Sequence, residues 1–495
     1  MPINKLPFVY PQLVLTAGIL AILLVGLFKT HSERMRTVLS VVGLIFLALT
    51  AIVCLMSPDY GSLGDILQFD FFTKFFLLFV LLAITLTMLA ASRSNEISAR
   101  RFPEFTALLF TIGLGISFMA SAQDVLFAYL AMETVSLSSY MLTGFKRTDQ
   151  SSHEAALKYV IFGGVASGVM IFGMSLLYGM AGTTSFSGIA QALSSMNPTL
   201  ADNSMGTLAI IIALVMVFTG FFFKIAAVPF HQWCPDVYQG APTPFTGFLS
   251  VAPKAAGFAL ILRFLALLLP QVDVSVKQLL LPIIGIVSAA TMTLGNFTAI
   301  HQSNVKRLLA YSSIAHAGYL LMGVVVLNIA GSTAIMVYLV IYLFMNLGAF
   351  TVVQTIVDTY GSEELSAYRG LGSRSPFLAI AMGVFLFSLA GIPPLAGFIG
   401  KFLLFAALIH NGGFWYVLLA VIGILNSVIA LFYYAIILRE MFLRPAEANA
   451  PAATKLSRLN SGLIAVMGAM VLVLGIYWEP LLNAANKAAT VLGLL

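Results

Sequence analysis

Five ionisable side chains stand in stretches of sequence otherwise dominated by apolar and small residues: Lys74, Glu133, Lys224, Lys254 and Lys401. Near the centre of a bilayer one such group costs roughly 2.5–3.5 kcal/mol on insertion scales, so five together rival the whole stability of a domain. They persist where they pair, where water reaches them, or where they carry protons. An amine and a carboxylate in one hydrated interior make a proton relay, since each can hold a proton and each alters the other's hold on it.

Lys74 opens an apolar run, and its stem can carry the ammonium to the headgroups, so it reads as a snorkelling lysine. Glu133 follows Asp124, the expected outer end of its helix, by nine residues, about 13.5 Å of rise and close to mid-depth. A short carboxylate cannot snorkel from there; a structural ion pair or a protonated, hydrogen-bonded acid is the alternative to a relay. The other three lysines each lie near proline: Lys224 precedes Pro229, Lys254 follows Pro253, and Lys401 follows Pro393 and Pro394. Proline removes a backbone donor, so the carbonyls of Ile225, Leu249, Leu389 and Ala390 are expected to lose their usual partners. Such backbone is tolerated at membrane depth only against protein or a water-filled cavity. Charged groups and freed carbonyls are therefore expected to share a hydrated interior, the alternative being kinked packing helices with incidentally paired lysines. His316, in the run LLAYSSIAHAGYLL, is a candidate relay, with hydrogen-bonded packing as its alternative. His231, which follows the seventh-helix break, is a second candidate relay, expected to face a cytoplasmic vestibule; His31, His153, His301 and His410 fall at loops or helix ends.

The elements that position these groups follow from composition. With 60% hydrophobic and 9% charged residues, the chain is one that lipid solvates. A net charge of +6 is scattered between apolar runs, which excludes a nucleic-acid stripe. Two cysteines, Cys54 and Cys234, cannot build a disulfide framework, a zinc site or an iron–sulfur site. Apolar runs long enough to cross a bilayer centre on 11–28, 37–56, 72–92, 105–121, 123–145, 159–181, 207–229, 243–267, 279–300, 308–328, 332–357, 376–409, 413–438 and 460–478. The fold class is therefore an all-α polytopic membrane protein of about 14 transmembrane helices, a single membrane domain over 1–495, with the first run kept as a helix.

Sorting basic residues by loop gives orientation. Odd-numbered loops carry Lys29, Arg34 and Arg36; Arg93, Arg100 and Arg101; Lys146, Arg147 and Lys158; Lys306 and Arg307; Arg369 and Arg374; Arg439, Arg444, Lys455 and Arg458. Even-numbered loops offer Arg263 and Lys277, together with Asp59, Asp65, Asp70, Asp202 and Asp273. The odd loops are thus expected in the cytoplasm, and both termini on the opposite side.

The block FFFKIAAVPFHQWCPDVYQGAPTPFTGFLSVAPKAAG, Phe221 to Gly257, resembles the signature of antiporter-like membrane subunits of proton-pumping NADH:quinone oxidoreductase, respiratory complex I. LFAYLAMETVSLSSYML around Glu133, NVKRLLAYSSIAHAGYLL from Asn304 and FSLAGIPPLAGFIGKF from Phe387 agree with it, and the resemblance runs across nearly the whole chain. Lysine in PKAAG, where relatives usually have histidine, and lysine rather than glutamate at position 401 are similar to the subunit N (subunit 2) branch. The resemblance implies two inverted five-helix repeats, helices 4–8 (105–270) and 9–13 (276–438), with discontinuous helices 7 and 12, after N-terminal helices 1–3 (1–104) and before a C-terminal helix 14 (439–495). It also implies that Glu133 and Lys224 form a coupling ion pair, that Lys254 is the central proton carrier, and that Lys401 stands on the path to the outer exit.

The implied function is proton translocation driven by quinone reduction elsewhere in the complex, in a bacterial inner membrane. The chain would act as part of a translocase with no redox site of its own. Its partners would be paralogous antiporter-like and small membrane subunits, and lipid. FMN, iron–sulfur clusters, NADH and a quinone would sit in other subunits, with no cofactor or metal on this chain. Two rival readings stay open: a subunit of a multi-component sodium/proton antiporter, using the same ionisable row, and a scaffold whose buried charges serve helix specificity alone. Neither a phosphate loop, a dinucleotide fingerprint nor a nucleophile with its base is visible.

Overall fold

The computed structural model describes residues 7–28, 33–195, 204–446 and 457–494, so Lys29, His31, Asp202 and Lys455 lie outside it. Its helices are α1 (Tyr10–Leu27), α2 (Glu33–Met56), α3 (Phe71–Ala91), α4 (Phe102–Ser121), α5 (Val125–Thr143), α6 (Gln150–Ala181), short α7 (Phe186–Ser195), α8 (Ser204–Ile225), short α9 (Trp233–Gly240) and α10 (Thr243–Leu268). They continue as α11 (Val274–Ala299), α12 (Val305–Val326), α13 (Ile329–Tyr360), one-turn α14 (Leu371–Arg374), α15 (Pro376–Ala390), α16 (Ala396–Asn411), α17 (Phe414–Phe442), α18 (Arg458–Ile476) and α19 (Glu479–Thr490). Among the described residues 13 helices are long and apolar enough to cross a membrane, and α15 with α16 makes one further, interrupted crossing. That total matches the apolar runs.

Short polar side chains start several of the helices. Asp124 accepts from the N–H groups of Leu126 and Phe127, Asp149 from Ser151, Asp273 from Ser275, Asn304 from Arg307 and Asn328 from Gly331. Burial sorts the bundle. In the most apolar stretch of α10, α12 and α13, 94% of residues are buried, against 28–39% in α1, α2, α6, α11, α17 and α18. Lipid takes one face of the outer helices, whereas the three inner ones are surrounded by protein, and it is on or against these that the buried cations lie.

One local arrangement occurs twice. α6 and α13 each have 32 residues and end in a left-handed glycine, Gly182 at φ 68° and Gly361 at φ 65°. Three residues on, Ser185 bridges Asp124, the cap of α5, and Glu364 bridges Asn304, the cap of α12. The flanking bonds repeat as well: Val125 N–H to Thr184 O at 2.9 Å and Phe186 N–H to Gln123 O at 2.8 Å, beside Val305 N–H to Glu363 O and Leu365 N–H to Ser303 O at 2.9 Å each.

The all-α class holds, with one addition: β1 (Tyr60–Leu63) and β2 (Leu67–Asp70) form a short antiparallel hairpin with Tyr60 opposite Asp70. Other expectations need correction. α19, a short helix packed on α3 and α13, follows the last crossing and is too mixed in polarity to be read as a span. Lys158 lies within α6 rather than in a loop, because Asp149 starts that helix earlier than hydropathy alone suggests. Lys74 does not snorkel to headgroups; it is buried, and its ammonium donates to the Ser57 carbonyl at 2.5 Å and to Asp59 at 2.8 Å. The exposed Asp59 carboxyl is held below its usual range by that lysine.

The largest correction concerns Arg263 and Asp70, both counted as loop charges. Arg263 is inside α10 and fully surrounded, as is Asp70 at the start of α3. The guanidinium forks onto the carboxylate, Nη1 to Oδ2 at 2.5 Å and Nη2 to Oδ1 at 2.9 Å, and donates to the Ala120 carbonyl from Nε at 3.1 Å and Nη2 at 2.9 Å. Asp70 in turn accepts the Thr73 N–H at 2.9 Å. A single ion pair therefore pins α10 to the start of α3 and the end of α4. Removing one partner strands the other charge, at a cost of about 3–5 kcal/mol. Arg263→Leu and Asp70→Leu are each expected to lower the amount of folded chain in membranes sharply, and the double variant to recover much of it; quantitative immunoblotting after a heat challenge checks the order.

Candidate functional site

Two helices stop inside the bundle, and both stop the same way. At the end of α8, Ala226 takes the left-handed φ of 58°, its N–H donates to Phe223 O at 3.1 Å, and the Ala227 N–H reaches back to Phe222 O at 2.8 Å. At the end of α15, Gly391 has φ 89°, donates to Ser388 O at 3.0 Å, and is followed by Ile392 N–H to Phe387 O at 3.1 Å. This is the paired closure of a helix that reverses through a left-handed residue. The breaks expected from proline are thus real but differently caused: Pro229, Pro393 and Pro394 lie beyond the helix ends, while Pro253 sits inside an unbroken α10.

Lys224 lies two residues before the first stop and is buried. Its Nζ donates to Ser136 Oγ of α5 at 3.0 Å. Glu133, one turn back on α5 and half-buried, accepts a hydrogen bond from Ser167 Oγ of α6. Among the described residues the expected direct ion pair between Glu133 and Lys224 is not formed; each is held by a serine, with the carboxylate near enough for its field to reach the amine. α8 meets α10 here: a methyl group built on Gly257 would stand 3.6 Å from Lys224 Cγ and 2.5 Å from Ile225 Cγ2. One turn along α10 from Gly257, buried Lys254 donates to the Ser313 carbonyl of α12 at 2.8 Å.

α12 carries the file onward. His316 is one turn from Ser313 and buried. One ring nitrogen, Nδ1, bonds Tyr338 OH at 2.5 Å, and Nε2 stands 3.2 Å from Tyr434 OH, which lies 2.6 Å from Ser312 Oγ. Beyond it Lys401, ten residues past Gly391, donates to the Ala390 carbonyl and to Ser427 Oγ, both at 2.9 Å, with its ammonium 4.8 Å from the Tyr319 ring centre. Ala390 is one of the carbonyls expected to be freed, and the lysine takes it up. Tyr338 also packs where Gly400 leaves room, since a methyl group there would meet its ring at 2.1 Å.

Glu133, Lys224, Lys254 and Lys401 are thus each held inside the bundle by oxygens or hydroxyls of neighbouring helices, with His316 one turn along α12 from the Ser313 that receives Lys254. His231 is half-buried just past the first break, its Nδ1 without a protein partner. His153, His301 and His410 are exposed. Missing from the sequence reading were the hydroxyls that join the file, Ser136, Ser167, Ser427, Tyr338 and Tyr434. Clusters such as SLSS after Glu133 were a signal, but a hydroxyl in a helix costs little and marks nothing by itself. Nor does the sequence show Asp236 of α9 bridging Lys158 at 2.7 Å and Arg307 at 2.6 Å below the first break, where these cations hold the Asp236 carboxyl below its usual range. Among the described residues no cluster of three or more His, Cys, Asp and Glu is placed to hold a metal ion.

Residues 122–429 match the profile of the family described as NADH:quinone oxidoreductase/Mrp antiporter, transmembrane. The chain is 45% identical over 492 residues to NADH-quinone oxidoreductase subunit N of Anaeromyxobacter sp. (strain Fw109-5), covering 96% of this chain and 94% of that one. Among solved structures it is similar to a chain of respiratory complex I from Thermus thermophilus with bound aureothin, at a TM-score of 0.78 and 29% identity over 96% of this chain and 99% of the other. A chain of the Mrp complex from Dietzia sp. DQ12-45-1b shares the fold, with a TM-score of 0.81 at 20% identity over 99% of this chain and 98% of that one.

Gly391 is the residue on which the second stop and its lysine both depend. At φ 89° a side chain is strained by about 1–2 kcal/mol, and a methyl group there would lie 3.0 Å from Lys401 Cδ. Gly391→Ala is expected to lower the melting midpoint of the purified assembly measurably, whereas Gly168→Ala, at a helical position with nothing within 4 Å, leaves it unchanged or slightly raised; differential scanning fluorimetry distinguishes them.

Proposed function

Since the chain belongs to the NADH:quinone oxidoreductase/Mrp antiporter family, we propose that it works as a membrane-arm subunit of an NADH:quinone oxidoreductase, moving protons when quinone is reduced in neighbouring subunits. The observation that carries this reading is the succession of buried amines, Lys224, Lys254 and Lys401, with Glu133 and His316, each bonded to hydroxyls or carbonyls of neighbouring helices. A scaffold would need charges that are neutralised once and for all. These lysines instead face neutral oxygens.

In this reading the resting arrangement is an open pair, with Lys224 on Ser136 and Glu133 on Ser167. A change of charge in the neighbouring subunit closes Glu133 on Lys224 and holds a proton there. Reopening passes it by water to Lys254, and from there past His316 and the Tyr434 hydroxyl to Lys401. The coupled groups share their protons, so the file titrates as a set. FMN, the iron–sulfur clusters, NADH and the quinone belong to other subunits of the assembly.

The duplicated caps of α5 and α12, the matching 32-residue helices and the two identical stops support a first repeat over 105–270 and a second over 276–438. α12 is the fifth crossing after α5, an odd step, so the second unit runs inverted to the first. The basic loops then face the bacterial cytoplasm across the inner membrane, and both termini face away from it.

The test is proton pumping by the reconstituted complex carrying Lys224→Ala or Glu133→Gln. Each is expected to lower pumping by about tenfold or more, the usual order for removing a proton-transfer group. Native stoichiometry in both variants would reject the assignment.

A further inference from the structure

The seam between α10 and α13 contains polar groups that the file above does not use. On α13, Asp358, Gln354, Thr351 and Asn346 descend turn by turn from the face of the basic loops toward the middle of the bundle. Asp358 is half-buried at the mouth, where its Oδ1 accepts the Asn95 N–H at 2.9 Å. Gln354 is 1% exposed; its amide nitrogen donates to the Ala90 carbonyl at 3.0 Å, while its Oε1 has no protein partner. Thr87 of α3, also 1% exposed, has an unpartnered Oγ1. Both residues line a cavity of about 10 Å³, together with Thr351 and with Gly247 of α10. Three residues on from Gly247 is Ser250, whose Oγ donates to the Gly247 carbonyl at 2.6 Å and accepts from Asn346 Nδ2 at 2.5 Å, and Asn346 Oδ1 is again buried without a partner. Ser250 precedes Lys254 by one helical turn.

A buried polar oxygen without a partner is destabilising, and water is the ordinary remedy. Three such oxygens lie in one seam, with a cavity about the size of a single water beside two of them. We infer that this seam is a hydrated proton-uptake path leading from Asp358 to Lys254, separate from the route through Glu133 and Lys224. Gln354, Thr87 and Asn346 are positioning residues that hold the waters, and the Ser250 hydroxyl relays the last step. Each transfer breaks one O–H bond as the next O–H forms, and the final one forms the N–H bond at Lys254 Nζ, with no electron moved. Lys254 can then be reloaded from the basic face while the Glu133 and Lys224 gate is closed. The inference rests on the proton-translocating reading above.

The experiment is pumping by the intact complex in proteoliposomes, with Gln354→Leu, Thr87→Val and Ser250→Ala, beside Lys254→Ala and the control Thr355→Val, whose hydroxyl bonds only the Thr351 carbonyl of its own helix. The three seam variants are expected to slow pumping by about tenfold, with the control at the native rate. Native pumping in the seam variants while Lys254→Ala pumps poorly overturns the path and leaves the general reading standing; native pumping in Lys254→Ala overturns both. Should a seam variant fail to assemble, a high-resolution map of the unaltered complex decides. Water density from Gln354 past Thr87 to Ser250 supports the path, and a dry seam removes it.

Discussion

A cation inside this bundle is cut off from bulk water and takes oxygen atoms from neighbouring helices in its place. Two solutions coexist. Lys74, Arg263 and Lys306 each reach a carboxylate: Asp59 at 2.8 Å, Asp70 at 2.5 Å and Glu363 at 2.8 Å. Among the described residues the hydrogen bonds of Lys224, Lys254 and Lys401 go to serine hydroxyls and main-chain carbonyls. A buried carboxylate fixes its partner's charge, because breaking the pair leaves both ions stranded. A carbonyl or hydroxyl solvates an ammonium without an opposite charge, so losing the proton strands nothing. The first group therefore fastens helices together, and the second is able to change its protonation without unfastening them.

Placement follows the same division. Lys306 donates to the Gln239 and Ala241 carbonyls as well as to Glu363, and Glu96 accepts the Thr243 N–H at 2.7 Å, so the corner between α9 and α10 is held from both sides. Arg263 holds the far end of α10. Lys254 lies between these anchors on a helix whose ends are fixed. The neutral-oxygen lysines, by contrast, sit beside helix stops or beside an internal proline, where the backbone has carbonyls to spare. Ala390 shows the economy of this arrangement: the carbonyl that the stop leaves open is the one that receives Lys401 and Ser427.

How much of this was legible depends on whether a property is local. The number of crossings was, because an apolar run of a given length has one meaning in lipid. So were the buried lysines and Glu133, since charge in an apolar run is conspicuous wherever the fold takes it. Arg263 escaped because it stands five residues from a helix end, where hydropathy cannot tell a loop from a buried turn; only Asp70, far away in sequence, makes its burial tolerable. Helix stops were placed correctly near proline but for a partial reason. The left-handed conformation of Ala226 has no sequence signal, because alanine is the residue that most favours continuing the helix. The hairpin of β1 and β2 was hidden in a loop too short to show alternation.

The serines explain why a direct pair between Glu133 and Lys224 need not be the resting state. Ser136 and Glu133 share one face of α5, a turn apart, so an amine extended from α8 can bond either with a small change in its own stem. Ser167 offers the carboxylate a donor from α6, which satisfies it while the lysine is elsewhere. In the structure each of the two groups therefore has a hydroxyl neighbour, Lys224 on Ser136 and Glu133 on Ser167. A pair locked together could not respond to a distant change of charge, and a pair with no alternative partners would cost too much to open. A hydroxyl solvates either group without fixing its charge, so the bonds seen here leave both free to take a different partner.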